Sequence, residues 1–250
     1  MPDYIKIKCF SDLNDALFEQ YKSSVYSSFP KVIFQSEVVK HCWPSIEKYF
    51  PEFQLFLVDD NERLIGFINT MPIFWDRPID DLPDDGWDWL VKKGIVGFEN
   101  GIKPNCLGGL QIIVAKDQLG KGYSKILIAE GKKLMERFGF ENFIIPIRPT
   151  FKSKYPEMKM DDYINFKPEG KTYDPWIRTH LSSGAEIIKV CYNAMNITGD
   201  ISYWEDLMSQ KIIKTGNYIV DGALNPVRMN LENDIGEYRE ANIWINYSAV

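Results

Sequence analysis

The stretch Cys106-Leu-Gly-Gly-Leu-Gln-Ile-Ile-Val-Ala-Lys-Asp-Gln-Leu-Gly-Lys-Gly-Tyr-Ser-Lys-Ile-Leu-Ile-Ala-Glu130 decides how this chain is read. Residues 107–114 form an apolar run of strand length, Gly120 and Gly122 mark a turn, and the spacing that follows predicts an amphipathic helix to about Phe138. Two glycines between a strand and a helix let the backbone turn tightly and leave several N–H groups unpaired at the helix start, an arrangement that attracts phosphate. Lys121 and Lys125 add positive charge there, and no acidic residue occurs from 119 to 129. The spacing is neither Gly-x-Gly-x-x-Gly nor a P-loop with Ser or Thr after its lysine, so the two commonest nucleotide motifs fail on residue type. The residues alone support an anion site at a helix start, with a plain strand-to-helix turn as the bland alternative.

Length and composition set the outer limits. The 250 residues are 45% apolar, ample for a core, and carry a net charge of -6. That charge argues against a nucleic acid or an anionic membrane as partner. Cys9, Cys42, Cys106 and Cys191 are far apart, and His41 and His180 are the two histidines, so no metal site is expected and the thiols read as reduced. No basic and apolar leader is expected, and no apolar run approaches the roughly 20 residues that span a bilayer. A cytoplasmic, soluble protein is the expectation.

Working outward from the central stretch, residues 4–10 alternate Ile and Lys as in a half-exposed strand, and a helix follows with Ser11 as its cap. A second helix is expected over 36–50, stopped by Pro51. Residues 54–59 and 64–74 form a hairpin around Asp60-Asn61-Glu62. The segment 75–104, rich in Pro, Asp, Gly and Trp, reads as a long functional loop with a short helix at 87–93. Beyond the central helix, 142–148 is a strand, 151–173 a second excursion over the same face, and Asp174-Pro175-Trp176 opens a short helix that ends at Gly184. Strands at 186–191 and 194–198 complete this part.

Two landmarks give this order a likeness. A strand ending in Val114, then Leu119, two residues, Gly122, one residue and Ser124, resembles the pyrophosphate loop of the GCN5-related N-acetyltransferase (GNAT) family, which prefers Arg or Gln at the first position and Gly or Ala at the last. His180-Leu-Ser-Ser-Gly184-Ala185 followed by a strand resembles that family's Tyr-x-x-x-Gly-Phe pattern. The resemblance covers about residues 5–198. It implies an α+β fold with a mixed, splayed central sheet and helices on both faces. Residues 1–199 are then an acyl-CoA-binding domain, and residues 200–250 an extension packed on the same domain or lining a homodimer contact.

The same resemblance implies acetyl-CoA, or coenzyme A, as co-substrate. Ile112, Ile113 and Val114 would pair with pantetheine, and Leu119, Gly120, Lys121, Gly122, Tyr123 and Ser124 would hold the pyrophosphate. His180 occupies the place of the Tyr that protonates the departing thiolate, and an imidazole of ordinary pKa near 6.5 can donate or accept at neutral pH. Its bland alternative is a half-buried His bonded to a carbonyl. Thr150 is expected to orient a substrate group beside it and Arg148 to bind a substrate carboxylate, with termination of the strand as the alternative for either; Trp87 and Trp89 are expected to line an acyl or acceptor pocket, with packing over the sheet edge as the role of at least one of them. No general base is assigned, because the central strand carries no carboxylate.

The expected activity is transfer of an acyl group to an amine of a small-molecule or carrier-bound acceptor. Thr150 with His180 also resembles the GNAT-like domains of polyketide loading modules, which implies malonyl decarboxylation and S-acyl transfer as an alternative. A non-catalytic acyl-CoA sensor is the third reading.

Overall fold

The computed structural model describes residues 5–249; Tyr4, the first residue of the first expected strand, lies outside them. The elements run β1 (Ile5–Cys9), α1 (Asp15–Ser28), α2 (Glu37–Tyr49), β2 (Gln54–Asp59), β3 (Leu64–Ile73), α3 (Gly86–Glu99), β4 (Cys106–Val114) and α4 (Tyr123–Arg137). They continue with β5 (Asn142–Ile147), α5 (Met160–Ile164), α6 (Pro175–Ser182), β6 (Glu186–Gly199), α7 (Ile201–Met208), β7 (Gly216–Tyr218), β8 (Val227–Asn230) and β9 (Ile235–Ser248).

Local chemistry sets the boundaries. Asn14, not Ser11, caps α1: its side chain accepts from the Leu17 amide at 2.9 Å, while Ser11 sits in a short 3-10 turn before it. Ser36 caps α2 by accepting from the Val39 amide. The short helix expected at 87–93 is the 14-residue α3, so the segment 75–104 is less loop than its composition suggested.

The sheet runs β1-β2-β3-β4-β5-β9-β8-β7, with β6 on β9. Its pairs are antiparallel except β4 with β5, which is parallel. Residues from 200 onward do more than pack on the domain. Along β9, Ile243–Ser248 pairs with β5 while the other edge of the strand pairs with β6, so the end of the chain is built into the sheet. The two strands expected at 186–191 and 194–198 are one strand, β6, with a bulge between Cys191 and Met195.

Successive strand residues point to opposite faces. On β3, Phe67 packs edge-on to Tyr21 of α1 and Met71 meets Gly94 of α3, whereas Ile68 meets Gly131 of α4. Helices α1 and α3 therefore cover one face and α4 the other. A Cβ added at Gly131 would lie 2.7 Å from the Phe143 ring, so Gly131→Val is expected to cost about 1–3 kcal/mol by overpacking. Urea unfolding checks this, and an unchanged midpoint would contradict the close approach of α4.

One feature of the sheet positions the site. Strands β4 and β5 pair only from Cys106 with Asn142 to Gly108 with Ile144. Beyond Gly108, β4 keeps its bonds to β3 but has none to β5. The register of β4 against β3 shifts at the same level, placing Leu110 in a bulge between Gly109 and Gln111. Among the described residues, no helix is long and apolar enough to cross a membrane.

Candidate functional site

A cleft of about 980 Å³ lies where β4 and β5 part. One wall is β4 from Gly109 to Val114, the opposite wall is Ile145 to Arg148 with Thr150, and the faces of α1, α2 and α6 close it. The parting leaves backbone N–H and C=O groups of β4 with no strand partner on that edge, and such groups need one from elsewhere.

At one end the cleft reaches the turn into α4. Gly120 and Gly122 have φ of +76° and +83°, a left-handed conformation that glycine alone adopts without strain. A Cβ at either would meet nothing within 4 Å, so conformation rather than crowding requires glycine there. Gly122 is the cap of α4 and supplies no side chain to its amides, and the first turn carries no acid. The helix start is thus open to an anion. Ile112, Ile113, Val114, Leu119, Gly120, Gly122, Tyr123 and Ser124 all line the cleft, as does Lys125. Lys121 does not; its ammonium donates to the Gln118 side chain at 2.9 Å.

At the level of the bulge, Trp87 of α3 donates from Nε1 to the Leu110 carbonyl at 2.9 Å and stacks on Trp43 of α2, ring centres 6.4 Å apart. Trp87 lines the cleft. Trp89 does not: it packs between the rings of Trp75 and Trp244, partly buried against the core, so of the two roles expected for the pair it takes packing and not the pocket.

His180 of α6 also faces the cleft and is fully buried. Its Nδ1 lies 2.8 Å from the Tyr247 hydroxyl of β9, and its Nε2 has no protein partner. Burial lowers its pKa to about 3. The imidazolium expected to be available at neutral pH is therefore absent, and the group is a neutral imidazole. The Tyr247 hydroxyl has one proton and two acceptors, Nδ1 at 2.8 Å and the His180 carbonyl at 3.5 Å; we assign the proton to the shorter contact, which places the ring proton on Nε2. In that tautomer the ring keeps one N–H, on Nε2, with no hydrogen-bond partner among the described residues.

This burial has a consequence for stability. Between pH 6.5 and about 3 the unfolded chain binds a proton at His180 that the folded chain does not. Stability is therefore expected to fall as pH drops below 6.5, by up to about 1.4 kcal/mol per pH unit from this group, with no contribution above it. In urea titrations at pH 7 and pH 4.5, His180→Phe should lose less stability than the parent; an equal loss would show that the histidine is not buried neutral.

Thr150 is exposed on the cleft wall beyond β5. Arg148 reaches the cleft as well, but its Nε donates to both carboxylate oxygens of Glu240 at 3.0 Å, and its terminal nitrogen to the Gly222 carbonyl. Glu240, fully buried, also accepts from Tyr238 and Asn242. The expectation that Arg148 binds a substrate carboxylate is corrected accordingly: its carboxylate partner is internal. Asp174 caps α6 and accepts from Tyr163 and the Phe151 amide.

The sequence reading missed Glu47 of α2, a half-buried carboxylate on the cleft wall. Trp43 and Tyr21 donate to its Oε1 at 2.9 and 3.2 Å, and burial raises its pKa. The available signal was the Trp43-x-x-x-Glu47 spacing, which puts both side chains on one helix face.

No family model matches the chain. It is 26% identical over 262 residues to the arginine N-acetyltransferase avaD of Aspergillus versicolor, covering 94% of this chain and 89% of that protein. Among solved structures, the loading GNATL domain of CurA from Lyngbya majuscula superposes with a TM-score of 0.61, at 14% identity over 98% of both chains. The GphF GNAT-like decarboxylase in complex with isobutyryl-CoA superposes with a TM-score of 0.60, again at 14% identity and 98% of both chains. These structural likenesses concern the fold, a splayed mixed sheet with helices on both faces.

Proposed function

We propose that the chain is an acyltransferase of GNAT type, and that its reaction is transfer of an acetyl group from acetyl-CoA to a primary amine. The observation that carries this reading is the parting of β4 and β5 directly above a glycine-capped helix start. It is supported by the avaD relative, an arginine N-acetyltransferase similar over nearly the whole of both chains.

The residues fit such a co-substrate. The free edge of Ile112–Val114 offers backbone groups to the amides of pantetheine, and the turn from Leu119 to Ser124 offers N–H groups to the pyrophosphate. Bound there, the thioester supplies the acyl group and a thiolate leaving group. The Nε2–H of His180 would donate to the developing sulfur anion from a water-poor pocket, where a hydrogen bond to charge is strong. Trp87, tied to the Leu110 carbonyl, fixes the bulge beside which the thioester would sit. Incubation with acetyl-CoA and a panel of amines, followed by thiol release, tests this reading. Release that needs an amine and yields an acetamide is expected, and an amine-independent rate would oppose it.

A second reading rests on one observation: Thr150 and His180 share the cleft wall. It is decarboxylation of a malonyl thioester, with S-acyl transfer to a carrier thiol. Malonyl-CoA separates the two, because carbon dioxide and acetyl-CoA form only under the second.

A further inference from the structure

We propose that the acyl acceptor carries a second cationic group, a guanidinium or an ammonium, which docks on Glu47 inside the cleft. The inference rests on the amine-transfer reading above and names the acceptor's chemical class.

Two carboxylates line the cleft, Glu47 and Glu240. Glu240 is already neutralised by Arg148. Glu47 has no ion pair among the described residues. Of the lysines that line the cleft, Lys22 pairs with Glu19, Lys40 pairs with Glu37, and Lys125 belongs to the first turn of α4. Glu47 is held in place by two neutral donors, both on one oxygen, so its charge is positioned but not cancelled. A half-buried carboxylate held among aromatic rings without a counter-ion is a site that a cation completes: the ligand brings the missing charge, and the rings of Tyr21 and Trp43 favour it further.

Position separates this group from the amine that reacts. Acyl transfer needs the nucleophile about 3–3.5 Å from the thioester carbon, beside the bulge at Leu110. Glu47 is linked to that bulge through two stacked indoles and does not itself bond to it: it bonds Trp43, Trp43 stacks on Trp87, and Trp87 bonds the Leu110 carbonyl. The reacting amine must also be neutral to attack, whereas a group that stays ionised suits Glu47. An acceptor with a cation at one end and a primary amine several bonds away meets both demands. Arginine and agmatine are of this kind, and citrulline has nearly the shape of arginine with a neutral ureido group in place of the guanidinium.

Calorimetric titration of the coenzyme A complex with L-arginine, agmatine and L-citrulline tests the inference without requiring turnover. The cations are expected to bind about tenfold to a hundredfold more tightly than citrulline, the span of a charge-assisted hydrogen bond. Glu47→Gln keeps an oxygen for Trp43 and Tyr21 but removes the charge. It is expected to collapse the arginine-to-citrulline ratio toward unity, with coenzyme A affinity preserved as the control for folding. A ratio near unity in the parent protein, or one unaltered by Glu47→Gln, overturns the proposal. Thiol release from acetyl-CoA in the presence of bound arginine is read separately. Tight, Glu47-dependent binding with no release would leave the cation site standing and refute amine transfer.

Discussion

Gly122→Glu is expected to weaken coenzyme A binding about a hundredfold, near 2.7 kcal/mol. Two effects act together. At φ +83° any residue but glycine is strained, so the turn relaxes and its amides lose their aim. The new carboxylate then stands at the helix start, where an anion should sit, and repels the pyrophosphate. Because a Cβ at this position meets nothing within 4 Å, the side chain itself has room and the fold should survive. Gly122→Ala, which adds the strain without the charge, should fall between the two. Equal affinities of all three proteins by calorimetry would mean that the turn holds no phosphate.

His180→Phe should lower the rate of acetyl transfer by about 10²- to 10³-fold, the range for loss of one hydrogen-bond donor to a developing anion, while coenzyme A affinity changes little. The ring is a near match in shape, and Trp176 packs edge-on against it at 4.3 Å, so the pocket keeps its filling. The pH profile discriminates further. With a pKa of about 3, His180 does not titrate in the working range. The parent's rate is thus expected to show no histidine ionisation between pH 5 and 8. An apparent pKa near 6.5 that disappears in His180→Phe would contradict a neutral donor and restore an imidazolium.

Much of this site can be read from the sequence because its elements are local. The run from Cys106 to Glu130 carries its own periodicity, its own glycines and a stretch from 119 to 129 without acid, and all three predict a strand, an open turn and a helix start where the structure has them. The Asp174-Pro175 start of α6 is legible for the same reason, since the cap and the proline act within one turn. What depends on distant partners is not legible. Arg148 looks like a free cation until β9 brings Glu240 against it from 92 residues away. Trp87 and Trp89 are two residues apart, and only the rotation of α3 against the sheet decides that the first enters the cleft and the second does not. His180 reads as a group of ordinary pKa because burial is a tertiary property. Glu47 was missed because a Glu on an amphipathic helix usually faces water. The strand β9 shows why the end of the chain was read as an addition, since its pairing with β5 and β6 joins segments far apart in sequence.

The central claim is that the parted strands and the glycine-capped helix hold coenzyme A. Thermal unfolding with and without coenzyme A tests it most directly. Ligand at 100 times its dissociation constant should stabilise the folded state by about 2.7 kcal/mol and raise the melting temperature by several degrees. Such a rise, absent in Gly122→Glu, is the predicted result. No shift at millimolar coenzyme A would contradict the account and leave the turn at Gly120 to Ser124 as an ordinary connection between a strand and a helix.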